Sequence, residues 1–345
     1  MPQLKGVILA AGLGSRLRPL TDTMPKPLLP FCGVPIFYLA MSRLLQAGVD
    51  EIAANAHYLP ELIERAAKKN PFSLNIHISL ETERILGTGG VYGNLHRWRE
   101  QSALLAINGD IVSDFDLGSL NKAHLDKKAW VTLGLVKGAN PGGKSVWIDT
   151  SGRVVAISVN KPGARADLSP HIFSGFQVLS DEILNVFQKD TEADLISTFQ
   201  RGLTAGKLIH GVYQDCFWHD LGTPTSYFLA HKEFLDGRTV EFFESTADAF
   251  GYNYAAKKMA LKLQYFRESQ LWTHSTILAP SLFVGDVKVG ANSTIGPYVI
   301  ADGDIEIAAN SKVSTCIILG AIDPVHKDSL RQAIMQNGLI TQIDA

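Results

Sequence analysis

Residues 9–21 are Leu-Ala-Ala-Gly-Leu-Gly-Ser-Arg-Leu-Arg-Pro-Leu-Thr, and residues 25–30 are Pro-Lys-Pro-Leu-Leu-Pro. The run Val7–Ala10 that leads into them is apolar and continuous, which predicts a buried strand that ends in a glycine-rich turn. Such a turn lets backbone N–H groups approach phosphate oxygens closely. The dinucleotide fingerprint needs a glycine where Leu17 stands, and the P-loop needs Lys-Ser/Thr directly after Gly14, so both motifs are absent. What remains is a phosphate-type loop followed by two cations, Arg16 and Lys26, which suit a triphosphate. A tight strand–helix turn with solvated cations is an equal alternative for this loop.

Outward from this loop, the first 230 residues alternate short apolar runs with stretches of helical spacing. The pattern predicts strands at 7–10, 51–55, 74–79, 103–107, 130–136, 146–149, 154–159 and 173–179, and helices at 37–47, 60–69, 90–99 and 181–187. This alternation is typical of an α/β, Rossmann-like domain with a mostly parallel sheet covered on both faces. Ligands of such sheets bind at the carboxyl ends of the strands, where the glycine-rich loop and Asn108–Asp110 both fall.

After residue 275 the apolar period changes to six. The repeated positions are Ile277, Phe283, Val289, Ile295, Ala301, Ile307, Val313 and Leu319. A six-residue repeat with small or apolar residues between is the hexapeptide signature of a left-handed parallel β-helix, here a short one. A β-sandwich with accidental periodicity is the alternative. We expect the solenoid to mediate self-association into a homo-oligomer rather than chemistry, because its last turn leaves an edge that needs cover.

The chain has 345 residues, more than the roughly 100–200 residues of a single domain. The sequence predicts a catalytic domain at 1–235, a helical connector at 236–274, the β-helix at 275–325 and a C-terminal segment at 326–345. A formal net charge of −2 offers no global basic field to attract nucleic acid or an anionic membrane. The three cysteines form no short motif, which argues against a disulfide framework or zinc site and suits the cytoplasm. The apolar run near the N-terminus is too short to span a bilayer.

The string 9–30 closely resembles the signature of the sugar-phosphate nucleotidylyltransferases, also called NDP-sugar pyrophosphorylases. Other pieces follow in the order of that family: Leu86–Gly90, Asn108–Asp110, Asn160–Pro162, Ser174–Gly175 and Trp218–Pro224. The resemblance covers roughly residues 4–235, and several members carry a hexapeptide tail. It is most like the mannose-1-phosphate guanylyltransferase type. Two positions depart from the family pattern, Asn160 in place of a glutamate and Phe173 in place of an asparagine, and both lie on the sugar side.

The resemblance implies attack of a sugar-1-phosphate on the α-phosphorus of an NTP, with release of pyrophosphate. The residues that it assigns to the nucleotide are Leu9, Ala11, Gly12, Gly14, Ser15, Arg16, Lys26, Glu81, Gly87 and Thr88. Those that it assigns to the sugar phosphate are Asn160, Lys161 and Gly175. Arg16, Lys26 and Asp110 are the expected catalytic residues. His57, Arg84 and His219 are candidates for the pocket rim only, and a structural role for His57 is an equal alternative.

Asp110 and Asp220 supply hard oxygen ligands at the ends of predicted strands, and they suit a Mg²⁺ ion that bridges the phosphates of both substrates. For Asp110 alone, a plain turn residue is the alternative, as a solvated turn residue is for Lys161. A binding homologue without catalysis is a second hypothesis, and retention of Arg16, Lys26 and both carboxylates favours the enzyme. An acyltransferase is a weaker third, because residues 276–325 contain no histidine.

GTP is the expected nucleotide, because a carboxylate accepts two hydrogen bonds from guanine N1–H and the exocyclic amine and finds no such pair on uracil or thymine. Glu81 is the preferred reader over Glu83, although both glutamates can instead point to solvent. Mannose-1-phosphate is the favoured acceptor. N-acetylmuramate-1-phosphate with UTP, suggested by Phe173–Gly175, and heptose-1-phosphate with GTP stay open.

Overall fold

The computed structural model describes residues 4–343 except 141–142, 164, 237–262, 267–269, 273, 321 and 326–328. By their contacts the residues form two compact units. The first unit comprises Met1–Leu13, Pro25–Pro27 and Phe37–Trp218, and the second comprises Gly14–Met24, Leu28–Ile36 and His219–Ala345. Two stretches of the N-terminal signature thus group with the C-terminal part of the chain, which a boundary placed at residue 235 does not anticipate.

The elements before residue 237 follow the predicted alternation. The helices are α1 (Ile36–Gln46), α2 (Pro60–Lys68), α3 (Gly87–Asn94), α4 (His96–Arg99), α5 (Leu117–Lys127), α6 (Asp181–Leu184), α7 (Leu195–Thr204) and α8 (Pro224–Leu235). The strands are β1 (Leu4–Leu9), β2 (Pro30–Phe31), β3 (Val34–Pro35), β4 (Ile52–Ala56), β5 (Ile76–Leu80), β6 (Ala103–Asn108), β7 (Ile111–Ser113), β8 (Val131–Lys137), β9 (Ser145–Ile148), β10 (Val154–Ser158), β11 (Ser169–Leu179), β12 (Ile209–Tyr213) and β13 (Trp218–Asp220).

The main sheet of the first unit has the order β10-β9-β11-β6-β1-β4-β5, with β8 paired to β11 and β12. Strands β6, β1, β4 and β5 run parallel, and β11 joins them antiparallel to β6. The register sets Leu9 opposite Asn108, so the ends of β1 and β6 lie side by side. The α/β prediction is confirmed, and the loops that follow these two strands leave from one edge of the sheet.

Three helices differ from the sequence-based prediction. The segment predicted as one helix over 90–99 is two, α3 and α4, and the first already begins at Gly87. Helices α5 and α7 were not predicted. Each starts at an aspartate, Asp116 or Asp194, whose side chain accepts a hydrogen bond from the backbone N–H three residues on. An Asp-x-x-Ser cap was the available signal.

The second unit carries the β-helix. Its strands are β14 (Leu263–Phe266), β15 (Gln270–Trp272), β16 (Ser275–Ile277), β17 (Ser281–Val284), β18 (Val287–Val289), β19 (Thr294–Ile295), β20 (Val299–Asp302), β21 (Ile305–Ile307), β22 (Lys312–Leu319), β23 (Ile322–Val325), β24 (Leu330–Gln336) and β25 (Leu339–Gln342). Thr276 pairs in parallel with Thr294, and Thr294 with Lys312, so successive partners are 18 residues apart. That spacing is three hexapeptides, one turn of a solenoid with three strands per coil.

The repeated apolar positions of this solenoid point inward: Ile277, Ile295, Ala301 and Ile307 are fully buried. The coil continues past residue 325, where we expected it to end, because β24 pairs in parallel with β22. The described part of the predicted helical connector is also different, since β14 and β15 are strands that pair antiparallel with β17 and β16. Backbone pairing with the solenoid overrides the helical pattern there. The rest of the connector, 237–262, lies outside the described residues.

Candidate active site

The glycine-rich loop leaves β1 with its backbone held from the next strand. The Ala10 N–H donates to Oδ1 of Asn55 on β4, with a nitrogen–oxygen distance of 2.7 Å. Ala11 is buried behind the loop, whereas Gly12 is exposed. A Cβ added to Gly12 would meet no heavy atom within 4 Å, so packing within the protein does not demand a glycine there. The absent side chain instead leaves the backbone open to close approach by a ligand.

Lys26 and Asp110 form the central pair of the first unit. The Lys26 ammonium lies 2.5 Å from Oδ2 of Asp110, and the side chains are only 10% and 30% exposed. Asp110 follows β6 at the carboxyl edge of the sheet, where the α/β rule places ligands. The structure thus joins two residues that are 84 positions apart in sequence, which the resemblance assigns separately to the triphosphate and to the metal ion.

Gly109 holds the loop of Asp110 against the end of β1. Its N–H donates to the carbonyl of Leu9 at 2.9 Å, and a Cβ on Gly109 would lie 2.6 Å from that same oxygen. A larger residue would separate the two loops. Close approach of backbones therefore fixes where Asp110 stands relative to the first residues of the signature.

The second unit brings Arg16 and Asp220 together. Arg16 lies in the short 3₁₀ turn Ser15–Leu17, which starts from Gly14 in the left-handed conformation at φ 64°. The position that a Cβ on Gly222 would take is 2.9 Å from Nη2 of Arg16 and 2.9 Å from Oδ1 of Asp220. The glycine of the Asp-Leu-Gly string thus makes room for a guanidinium beside a carboxylate. Arg16 and Ser15 are both exposed, as ligand contacts require.

The loop 81–90 is organised by a buried carboxylate. Glu81 is 3% exposed, and its two oxygens accept hydrogen bonds from Asn55 Nδ2 and from the Leu86 N–H, both at 2.7 Å. The same Asn55 receives the Ala10 N–H, so one chain of hydrogen bonds joins the two loops. Glu81 can meet a base only through the lone pairs that these bonds leave. Glu83 is exposed.

Sequence reasoning missed Asn55, which links Glu81 to Ala10. The signal in the sequence was a polar residue within the otherwise apolar strand β4. In the structure Asn55 is only 4% exposed. His57 lies nearby, with Nδ1 2.5 Å from the Glu81 carbonyl oxygen, which favours the structural role for this histidine. His219 contacts Glu233, Nε2 to Oε2, at 2.8 Å.

Gly87 and Thr88 begin helix α3 and border the same loop. Gly87 has φ 72°, and a Cβ there would lie 2.7 Å from the carbonyl oxygen of Ala193. Thr88 is exposed, and its hydroxyl accepts the N–H of Leu195 at 3.1 Å. Arg84 is exposed and donates to the carbonyl of Asp190. Arg84 and Asp190 line a small cleft together with Glu81 and Glu83.

The candidate residues for the sugar phosphate lie on and beside β11. Gly175 has φ 83°, and its Cβ position is 2.9 Å from the Asn108 amide nitrogen, at a register shift of β11 against β8. Asn160 and Lys161 are exposed in the loop after β10. Phe173 packs against the core of the sheet, which explains in packing terms why an apolar residue stands there.

The donor chemistry of the two candidate metal ligands fits Mg²⁺. Among the residues that the structure describes, no three His, Cys, Asp or Glu side chains are grouped as a closed metal cage. Mg²⁺ does not need one, because it is commonly held by one or two carboxylates and by substrate phosphates. Asp110 and Asp220 are carboxylates of this kind, each next to a cation that suits phosphate, Lys26 for the first and Arg16 for the second.

The α/β fold brings the glycine-rich loop and Asp110 to the carboxyl edge of the sheet, where enzymes of this class bind ligands. Residues 5–237 match the model of the family described as Nucleotidyl transferase. That match covers more than half of the chain, and the chain belongs to this family.

Individual relatives share the same region. The chain is 28% identical to the mannose-1-phosphate guanylyltransferase of Mycobacterium tuberculosis over 92% of its own length and 83% of that protein's. It is 31% identical to the mannose-1-phosphate guanylyltransferase catalytic subunit beta of Danio rerio, over 68% of its own length and 63% of the relative's. The solved structure of HddC from Yersinia pseudotuberculosis complexed with GMP-PN is 27% identical, with a TM-score of 0.55, over 68% of this chain and 100% of that one.

Proposed function

We propose that this enzyme transfers a nucleotidyl group from GTP to mannose-1-phosphate, forming GDP-mannose and pyrophosphate. The observation that carries the proposal is the Lys26–Asp110 pair beside an open glycine loop at the carboxyl edge of the sheet. The names of the relatives support the choice of guanine and mannose. Two anions must meet in this reaction, so neutralisation and alignment of charge supply most of the catalysis, and no nucleophilic side chain is required.

In the reaction, an oxygen of the sugar phosphate attacks the α-phosphorus, and the bond from that phosphorus to the pyrophosphate oxygen breaks. Arg16 and Lys26 hold the triphosphate and stabilise the charge that develops on the leaving pyrophosphate. Lys161 grips the phosphate of the sugar, with Asn160 and Gly175 beside it. The backbone of Ala11 and Gly12 leaves space for the nucleotide, and Leu9, Gly14 and Ser15 border it.

Asp110 and Asp220 are the residues that would hold Mg²⁺. When bound, the ion neutralises phosphate charge and orients the reacting oxygens. The Lys26 ammonium holds one oxygen of Asp110 in place before any ligand arrives.

The experiment that tests the proposal is a coupled pyrophosphate-release assay on the full chain with Mg²⁺. GTP, UTP, dTTP and ATP are each paired with mannose-1-phosphate, N-acetylmuramate-1-phosphate and a heptose-1-phosphate. GTP with mannose-1-phosphate is expected to give the highest kcat/KM. A higher kcat/KM for UTP with N-acetylmuramate-1-phosphate, or for GTP with the heptose-1-phosphate, would show that mannose-1-phosphate is not the preferred acceptor. Release with no pair would favour the binding homologue.

Base selection is expected to depend on Glu81. Glu81→Gln should lower the ratio of kcat/KM for GTP over UTP by about 5- to 150-fold. The lone pairs that Asn55 and Leu86 leave on the carboxylate can accept from the two guanine donors, and uracil offers no such pair, a difference of ~1–3 kcal/mol. Glu83→Gln is the matched control on the same loop, and it should leave the ratio unchanged. A loss of rate that is equal for both nucleotides would show that Glu81 only supports the loop through Asn55 and Leu86.

Self-association through the β-helix is a further expectation. Leu339 on β25 is 58% exposed, and Leu125 on α5 of the first unit is 48% exposed. In light scattering, the full chain should have at least twice the mass of one chain, and Leu339→Lys should lower it, because a charge is costly to bury in an apolar contact. Leu125→Lys should leave the mass unchanged. A monomeric full chain would contradict the expectation.

We propose the cytoplasm as the place of this reaction. Cys32, Cys216 and Cys316 are all free thiols, as a reducing compartment favours. In the described part of the chain, no helix has both the length and the apolar character to cross a membrane.

A further inference from the structure

A small hairpin of the second unit directly follows the signature. Strands β2 and β3 pair antiparallel, Pro30 with Pro35 and Phe31 with Val34, and residues Cys32 and Gly33 turn with positive φ. The hairpin starts two residues after the helical turn Lys26–Leu28, and the Ile36 N–H closes it by donating to the Leu29 carbonyl at 3.1 Å. Its position therefore sets where the chain leaves the phosphate-binding segment.

Helix α8 holds one side of this hairpin. The Tyr227 hydroxyl donates to the Pro30 carbonyl, and the Cys32 N–H donates to Nε2 of His231 at 3.2 Å. Nδ1 of His231 donates to the Tyr227 carbonyl at 2.8 Å. Burial lowers the pKa of His231 to about 4, so the ring is neutral at pH 7 and Nε2 is free to accept. The Phe31 ring packs 4.5 Å from the His231 ring, centroid to centroid.

The β-helix holds the other side. A Cβ on Gly33 would lie 2.7 Å from Cγ1 of Val284 on β17, and Gly33 has φ 89°. The Asp302 carboxylate on β20 accepts a hydrogen bond from the backbone of Gly33, and its Oδ2 is buried without a hydrogen-bond partner. Burial raises the pKa of this carboxyl to about 6. Burying a carboxylate that accepts a hydrogen bond only from the Gly33 amide lowers the stability of the fold. Asp302 at this place therefore points to a role in positioning the hairpin.

We propose that Tyr227, His231, Val284 and Asp302 form a hairpin clasp through which the β-helix positions the NTP-binding segment. The segment 14–24, which contains Arg16, and the segment 28–36 belong to the same compact unit as the β-helix. Within segment 14–24, the hydroxyl of the buried Thr21 donates a hydrogen bond to the Gly14 carbonyl at 2.8 Å. The clasp residues are not among those assigned to the substrates, so they act through Arg16, which belongs to the same unit. The inference rests on the proposed function and departs from the expectation that the solenoid takes no part in chemistry.

The test is Gly33→Ala in the full chain. The new methyl group meets Val284, so the hairpin must shift, and we expect the KM for GTP to rise by about 10- to 100-fold, as small misplacements of positioning groups do. The KM for the sugar phosphate should stay at its wild-type value. Amide hydrogen exchange of peptides from 14–36 should become faster, and this readout does not require activity.

Two variants isolate the clasp from general strain. Gly338→Ala is the matched control, since Gly338 also lies in the second unit with φ 80° but has no atom within 4 Å of its Cβ position. Adding Val284→Ala to Gly33→Ala should restore most of the GTP KM, because it removes the methyl group in the way. Tyr227→Phe, which removes only the bond to Pro30, gives a second route if Gly33→Ala does not fold.

The outcomes separate the two proposals. A wild-type protein that releases no pyrophosphate from any substrate pair contradicts the proposed function, while hydrogen exchange still tests the clasp. An active wild type with the same GTP KM and exchange in Gly33→Ala as in Gly338→Ala overturns the clasp. Failure of Val284→Ala to restore the KM would overturn it as well.

Discussion

Asp110→Asn is expected to lower kcat by ~100- to 1,000-fold in a chain that still folds, because the amide keeps the shape of the carboxylate and loses the charge that a metal ion and Lys26 require. The Lys26 ammonium lies 2.5 Å from the carboxylate that this substitution neutralises. The measurement is steady-state pyrophosphate release at saturating GTP, repeated at increasing Mg²⁺.

Asp126→Asn is the matched control for this variant. Asp126 lies in the same unit, with its side chain 60% exposed and paired to Lys122 at 3.0 Å. Exposed pairs of this kind contribute about 0–1 kcal/mol, so the control should keep wild-type turnover and stability. Asp220→Asn is expected to behave like Asp110→Asn. A wild-type rate in either site variant at controlled excess Mg²⁺ would refute the assignment of two metal-binding carboxylates.

Gly93→Ala is expected to lower the free energy of unfolding by about 3 kcal/mol or more, since a Cβ there cannot be accommodated without moving backbone. Gly93 lies in α3, and its Cβ position is 2.1 Å from the carbonyl oxygen of Gln188. The loop that contains Gln188 is anchored to the same helix by the Asp190 N–H, which donates to Asn94 Oδ1 at 2.8 Å. Helix α3 opens with Gly87 and Thr88, so the KM for GTP should rise as well.

Chemical denaturation of the wild type and of Gly93→Ala measures this loss of unfolding free energy. Gly118→Ala in α5 is the matched control, because its Cβ position meets only a side-chain oxygen, Asp116 Oδ1, at 3.2 Å, and not the backbone of another loop. It should change stability by less than about 1 kcal/mol. Equal denaturation midpoints for Gly93→Ala and the wild type would show that the loop 187–190 can move away from the new methyl group without loss of stability.

The chemistry-bearing residues were accessible from the sequence because they sit in contiguous strings. The apolar runs before 9–30 and before Asn108–Asp110 predicted that both segments follow buried strands. The pairing of Leu9 with Asn108 at the ends of β1 and β6 agrees with this prediction. The six-residue repeat after 275 predicted a parallel solenoid, and partners 18 residues apart confirm it. Local periodicity suffices in these cases, since strand burial and coil length follow directly from spacing.

Contacts between distant residues were not accessible. No spacing predicts that Asn55 joins Glu81 to Ala10, or that the Glu81 carboxylate is already occupied. The strands 263–266 and 270–272 were read as helical, because their pairing partners lie on the solenoid and not in their own pattern.

By itself, then, the sequence determined the α/β class, the solenoid and the cations and carboxylates of the site, because each depends on neighbours in the chain. Only the tertiary structure decided which of these groups meet. The Lys26–Asp110 pair and the contacts of Gly33 with Val284 and Asp302 join residues 84, 251 and 269 positions apart. Such pairings follow from the packing of whole elements, which leaves no trace in local spacing.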